Sequence, residues 1–276
     1  MLSRLCRYPA TWSADGVRRT KARQRERIVG TTSSTVGAHS IHTVEDVVPT
    51  IRSRCRALVL RTPSADQVAG YLQSRDSIPS AIASYAARVS QGHIGRARAL
   101  ARDEAVRNRR REVLAVPTQL SDLGSCMTSA ANLVDAATEE AKPRSDALDA
   151  RELGDLDFTY GAGTRGVKAT GYAAAKKELQ NRQKQRAKRM VKDSVDRSLI
   201  DLASFYRDVL CLQVGSDTEL VNEELRREIA TMARGTTGEI STQRLTAIFE
   251  TREQLEGETA PLLALESLMI SLRGGV

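Results

Sequence analysis

The chain has 276 residues, with 42 Lys/Arg against 34 Asp/Glu and a formal charge of +8. That length exceeds the size at which a single core usually stops growing, so two domains are expected, and 4% aromatic content with Ala, Leu and Arg at helical spacing argues against a sandwich or barrel and for an all-α protein. No apolar run reaches the roughly 20 residues of a membrane span, and four scattered cysteines (Cys6, Cys55, Cys126, Cys211) without a C-x-x-C pair argue against zinc sites and disulfide frameworks and for a reducing, cytoplasmic setting.

Residues 1–40 hold eight Lys/Arg against Asp15 and Glu26, so most of the net charge sits there. They show no periodicity and close on "TTSSTVGAHS", which predicts a disordered or aberrant N-terminus over 1–42 with no strand in it. The Arg-rich start loosely mimics a mitochondrial transit peptide, but residues 13–40 lack its amphipathic period. From Thr43 the texture changes. Thr43, Asp46 and Pro49 mark a short helical turn and a bend, and Cys55 to Leu60 read as an extended apolar link.

Ser64 reads as the N-cap of a helix, with Gln67 completing a capping box and Val68 and Leu72 on the apolar face. A second helix is predicted from Pro79 to Ser90, with Ile82, Ala86 and Val89 inward and Gly92 as its stop. After "GHIG" a third runs from Arg96 to about Leu114, giving a three-helix unit within 43–115. Pro117 opens a second region, 116–276. It starts with a helix carrying Leu120, Leu123, Met127, Leu133 and Val134 to about Glu140, followed by a flexible insertion over about 142–175.

From Tyr172 a long helix carries a basic run and then turns Leu199, Leu202, Phe205, Tyr206, Val209 and Leu210 inward before Gly215. Asp217, Ser241 and Thr259 read as N-caps of later helices, with Gly235, Gly257 and Gly274 as stops. The last helix, "APLLALESLMISL", is apolar nearly all round, so burial at a subunit contact is expected.

Three motifs invite a chemical reading; two do not sustain one and the third stays open. "GAGTRGVKAT" at 161–170 has the look of a phosphate loop, yet Val167 stands where the lysine belongs and Ala169 where the metal-binding hydroxyl belongs, so it reads as a linker. The histidines, His39, His42 and His93, lack any G-x-S-x-G or paired carboxylate, which leaves no independent active site. Arg165 to Lys192 hold ten Lys/Arg and only Glu178 as an acid, without aromatic interleaving; the run reads either as a solvated helix or as a contact for DNA phosphates or an acidic partner.

"TIRSRCRALVL" sets Arg52, Arg54 and Arg56 around Cys55. "VEDVVPTIRSRCR" resembles the Ser-Arg-Cys motif of the clamp-loader ATPase family, and "GHIGRARALA" resembles that family's sensor-2 helix start at the expected distance downstream. The order from Thr43 to Val276 resembles the lid, linker and collar of the family. The resemblance implies a three-helix AAA+ lid followed by a clamp-loader collar helical bundle, in a subunit of the complex that loads the sliding clamp during DNA replication.

It further implies that Arg54, framed by Ser53 and Cys55, is an arginine finger acting in trans on ATP-Mg held by a neighbouring subunit. This chain would then bind no cofactor itself. A planar, permanently charged guanidinium bridges the oxygens of a transferring phosphoryl group in a way lysine does not. Cys55 would be a small buried hydrophobe, and Arg52 and Arg56 surface or lid contacts. The implied partners are the gamma/tau and delta subunits, with sliding clamp and primed DNA reached through the complex, and no membrane.

Two departures qualify the resemblance. Gly95 stands where ATP-binding relatives carry the sensor-2 arginine, with Arg96 displaced by about 100° around a helix, and nothing ahead of Thr43 resembles the family's nucleotide-binding fold. Alternatives are a truncated gamma/tau motor subunit, which needs that missing arginine, a stand-alone basic helical DNA-binding protein, and a product that folds only in part.

Overall fold

In the computed structural model, which describes residues 2–7, 36–41, 47–59, 61–161, 171–257 and 259–274, the chain divides into two units, Met1–Ala97 and Arg98–Val276. The described residues are predominantly helical, with one small sheet. Strands β1 (Leu2–Arg7), β2 (Val36–Ile41) and β3 (Cys55–Val59) pair antiparallel in the order β2-β1-β3. β1 therefore commits its backbone groups to both neighbours, with Cys6 opposite Gly37 on one side and Cys55 on the other.

The sheet corrects the expectation of a strand-free N-terminus. "LSRLCR" does not alternate, and ladder pairing on both edges, not a period of two, defines this strand. The remainder of that expectation falls on residues 1, 8–35 and 42, outside the described residues.

Helices α1 (Pro49–Arg52), α2 (Ala65–Asp76) and α3 (Ser80–Ser90) follow in the same unit. Ser64 caps α2 as its sequence predicts: its hydroxyl accepts from the Gln67 N–H at 3.3 Å, and the Gln67 side chain accepts from the Ser64 N–H at 3.0 Å. Val68, Ala69 and Leu72 are buried, and so are Ala83, Ala86, Ala87 and Val89 on the helix α3 that packs against α2.

The expected third helix is two. α4 (Ile94–Arg102) stops at Asp103, whose carboxylate accepts from the Ala105 N–H at 2.8 Å and so caps α5 (Glu104–Gln119). Arg107 reaches back to donate to the carbonyls of Leu100 at 2.8 Å and Ala101 at 3.3 Å, satisfying acceptors left open where α4 ends. α5 then continues through Pro117, which lies inside its last turn and opens no new region.

The second unit is built on α6 (Leu123–Tyr160) and α7 (Tyr172–Gln213), with a 3-10 turn at Glu223–Leu225, α8 (Arg226–Gly235), α9 (Gly238–Glu256) and α10 (Pro261–Gly274). α7 is the axle, in contact with α5, α6, α8 and α9. Its Leu199, Leu202, Phe205, Tyr206 and Val209 are buried as predicted, against Cys126, Ala130 and Leu133 of α6, Ile248 of α9 and Leu265, Leu268 and Met269 of α10. Each such large side chain contributes about 1.5–3 kcal/mol by leaving water.

The predicted flexible insertion over 142–175 is corrected: α6 runs unbroken to Tyr160, and only residues 162–170 lie outside the described residues. Pro143 and Gly154, which argue locally against a helix, are tolerated because α6 is paired along its length with α7, and the charged side chains of the two helices lock together there. Among the described residues, no member of the bundle core on α6 lies beyond Ala137 and none on α7 before Val191, so the two helices leave the core as a paired arm.

Three caps also move. Thr237, not Ser241, caps α9 by accepting from the Ile240 N–H, and Ser241 is buried in the first turn. α10 opens at Pro261, with the Ala260 carbonyl accepting from Ala264 at 3.2 Å, so Thr259 is not its cap. Asp217 precedes no helix; the 3-10 turn at Glu223 comes next. The final helix buries Ala264, Leu265, Leu268, Met269 and Leu272 on one face and leaves Leu262, Leu263 and Ile270 exposed on the other, so it is not buried all round.

Candidate functional site

Pro49 starts α1 because its fixed φ suits a first helical position and its missing N–H costs nothing there. One turn later the helix closes on itself: the Ser53 N–H donates to the Pro49 carbonyl at 2.9 Å, the Arg54 N–H to Ile51 at 3.1 Å, and the Ser53 hydroxyl to Thr50 at 3.1 Å. The backbone of Arg54 is thus fixed by a hydrogen-bonded turn just before β3 begins, while its side chain is exposed, as is that of Arg52. The side chain of Arg56 lies outside the described residues.

Cys55 differs from its expected role as a small buried hydrophobe. It is half-buried and disulfide-bonded, and its register partner on β1 is Cys6. Pairing of β1 with β3 brings together two cysteines 49 positions apart in sequence, which no spacing rule for adjacent ligands detects. Cys126 and Cys211 are free thiols. Ser53 and Cys55 therefore hold the turn from both sides, one by a hydroxyl–carbonyl bond and one by a covalent link.

The second sequence landmark folds within the same unit. Gly92 sits at φ +85°, and a side-chain carbon there would fall 2.3 Å from the Thr62 methyl and 2.9 Å from the Pro63 carbonyl, so only glycine fits. His93 is a structural cap: its Nδ1 accepts from the Arg96 N–H at 3.0 Å, and its own N–H donates to Ser90 at 3.0 Å. α4 consequently starts at Ile94, two residues before the predicted Arg96, and Gly95 lies exposed in its first turn.

The polar group that sequence reasoning misses lies in the helical bundle. Arg110 is 3% exposed and donates from Nε to Asp201 at 2.9 Å, from Nη1 to Glu224 at 3.0 Å and from Nη2 to the Asn222 side-chain oxygen. Asp208, fully buried, accepts from the N–H groups of Val221 at 3.1 Å and Asn222 at 2.7 Å, and from the Asn222 side chain at 2.8 Å. Together these bonds tie the connection after α7 to α5 and α7. Each buried carboxylate faces donors and the buried guanidinium faces acceptors, which makes a structural knot with no spare acid or base.

Elsewhere on α7, Tyr206 lies under the Arg244 guanidinium, 5.5 Å from ring centre to Cζ, and burial pushes its hydroxyl up to about 12. Along the arm, Arg186 bonds both Asp149 and Glu152, and it holds the Glu152 carboxyl below the usual range. At the arm's tip the Tyr172 hydroxyl donates to Asp157 at 2.6 Å, which raises its titration. Lys192 donates to the Gly257 carbonyl at 2.6 Å, closing the end of α9.

The look-alike phosphate loop, apart from Gly161 in a left-handed cap of α6, lies outside the described residues. Among the described residues no cluster of His, Cys, Asp or Glu could hold a metal, and no helix is long and apolar enough to cross a membrane. No protein-family model, curated protein or solved structure matches the chain.

Proposed function

We propose that this chain is a clamp-loader subunit of the delta-prime type, one that assists ATP hydrolysis on a neighbour without completing a site of its own. The observation that carries the reading is the Arg54 turn: an exposed guanidinium on a backbone fixed by three hydrogen bonds and flanked by a bridged cysteine. The turn fixes the backbone at its base, and the side chain reaches the surface. That geometry suits insertion into the phosphate site of a gamma/tau subunit, where it would face ATP-Mg. The helical unit from α5 to α10 would serve as the collar, with Leu262, Leu263 and Ile270 of α10 turned toward neighbouring subunits. Sliding clamp and primed DNA are reached through the assembled complex.

Reconstitution with gamma/tau and delta subunits, sliding clamp and primed DNA tests the reading. Arg54→Ala is expected to lower DNA-stimulated ATP hydrolysis by about 10³-fold, the range of fingers supplied in trans, while the complex still assembles in size-exclusion chromatography. Failure of the wild-type chain to co-elute with the other subunits would refute it.

A further inference from the structure

The arm formed by the outer parts of α6 and α7 is unequal in charge. Residues 142–160 of α6 carry three Lys/Arg against five Asp/Glu, whereas residues 176–192 of α7 carry eight against Glu178 alone. Between the two helices lies a cleft of about 430 Å³. Ala141 and Ala187 contribute to its wall, and their small side chains leave the gap open.

Ser145 also lines this cleft. It is 5% exposed, yet its hydroxyl makes no hydrogen bond. Inside a helix such a hydroxyl ordinarily donates to the carbonyl four residues back, as Thr138, Thr159, Ser198 and Thr242 do here. A buried hydroxyl left without a partner costs free energy unless something else supplies one. Lys142 on α6 and Lys184 on α7 stand on the same cleft, and neither is bonded to an acid among the described residues.

Two carboxylates share the lining. Asp149 is engaged by Arg186, which leaves Asp146 as the one lining acid outside an ion pair among the described residues. Lys177, Lys184 and Lys188 follow one another at spacings of seven and four, so they fall on one stripe of α7 that runs past the cleft in both directions. A single small anion would need only the cleft. A stripe of cations extending beyond it fits a ligand with repeating negative charge.

We infer that the α6–α7 cleft seats a phosphate group of a nucleic-acid backbone, with Lys142 and Lys184 supplying charge and the Ser145 hydroxyl donating a hydrogen bond. The site is independent of Arg54 and lies in the other unit of the chain, so its failure and that of the clamp-loader reading are separate results. Phosphate contacts of this kind confer no sequence preference, and they weaken steeply with salt.

The test is fluorescence anisotropy of labelled single-stranded and duplex DNA with the full chain, titrated from low to physiological salt. Lys142→Gln combined with Lys184→Gln is expected to weaken binding about tenfold and to flatten the salt dependence by about one unit of log K per log salt for each phosphate no longer neutralised. Arg227→Gln with Arg234→Gln, an equal charge change on exposed positions of α8, controls for net charge. Equal weakening by the two pairs, or no DNA binding by the wild-type chain, overturns the inference. Ser145→Ala is expected to weaken binding about threefold without lowering the melting temperature, since its hydroxyl holds nothing in the fold. Loss of thermal stability with unchanged binding would make it a structural residue and overturn its part in the site. Inorganic phosphate should compete only at far higher concentration than DNA; competition at equal concentration would assign the cleft to a free phosphate ester and remove the nucleic acid from the proposal.

Discussion

Arg54 and Arg110 are the same side chain in opposite settings. Arg110 is withdrawn from water and its three nitrogens are matched to Asp201, Glu224 and Asn222. Arg54 stands exposed just after a one-turn helix, on a backbone that the turn fixes. The contrast shows where each residue's value lies. A buried, fully matched guanidinium serves the fold, because moving it strands several partners, whereas an exposed one on a rigid turn is within reach of another molecule.

Mutating each arginine measures that contrast. Arg110→Met is expected to destabilise the chain by about 3–5 kcal/mol in urea unfolding, because Asp201 becomes a buried carboxylate without its counter-charge. Arg54→Ala should cost less than Arg110→Met in the same experiment, because its side chain is exposed where that of Arg110 is buried. Similar losses for both would erase the distinction. A comparable effect is expected at Asp208: Asp208→Ala leaves the N–H groups of Val221 and Asn222 without that acceptor, at about 1–3 kcal/mol for each, and should raise hydrogen exchange at those two amides first.

Tyr206 gives a pH-dependent version of the same logic. Its hydroxyl titrates at about 12 in the fold against an ordinary value of 10.0, because burial disfavours the phenolate. The folded state therefore keeps a proton that the unfolded state releases. Its contribution is complete below pH 10 and is lost as pH rises from there toward about 12. Unfolding at stepped alkaline pH should show wild type losing stability relative to Tyr206→Phe across that window; parallel curves would mean that the ring is not buried as described.

The smallest effect belongs to the arm. Arg186→Gln removes the partners of Asp149 and Glu152, but these ion pairs are only part-buried and still reach solvent, so the cost is on the order of 1 kcal/mol. Because Glu152 titrates below its ordinary range, what the pair contributes is present above that range and fades as pH falls through it. The Arg186→Gln variant should lose that acid dependence.

Local signals were legible where a few neighbouring residues decide the outcome. The Ser64–Gln67 box, the apolar face of α7 and the closing positions of Gly235, Gly257 and Gly274 all follow from contacts within one or two turns. What escaped depends on distant partners. β1 exists through pairing with strands some 30 and 50 residues away in sequence, and the outer half of α6 is helical because α7 lies beside it.

The knot is the clearest case at the level of a site. Arg110 sits in "RNRRREV" among arginines of identical local pattern, and only the folded bundle reveals which of them is buried. Its partners Asp201 and Asn222 lie 91 and 112 residues on. The turn ahead of Arg54 was readable from Pro49, which acts on its immediate neighbours, whereas the bridge at Cys55 depends on a distant partner and was not.

Turnover of ATP by the reconstituted ring, with this chain as wild type, Arg54→Lys or Arg54→Ala, reads the central assertion most directly. Both variants should assemble normally and hydrolyse about 10³-fold more slowly, because a point charge on a flexible stem does not replace a planar fork. Wild-type turnover with alanine at position 54 would show that the exposed guanidinium serves no neighbouring site.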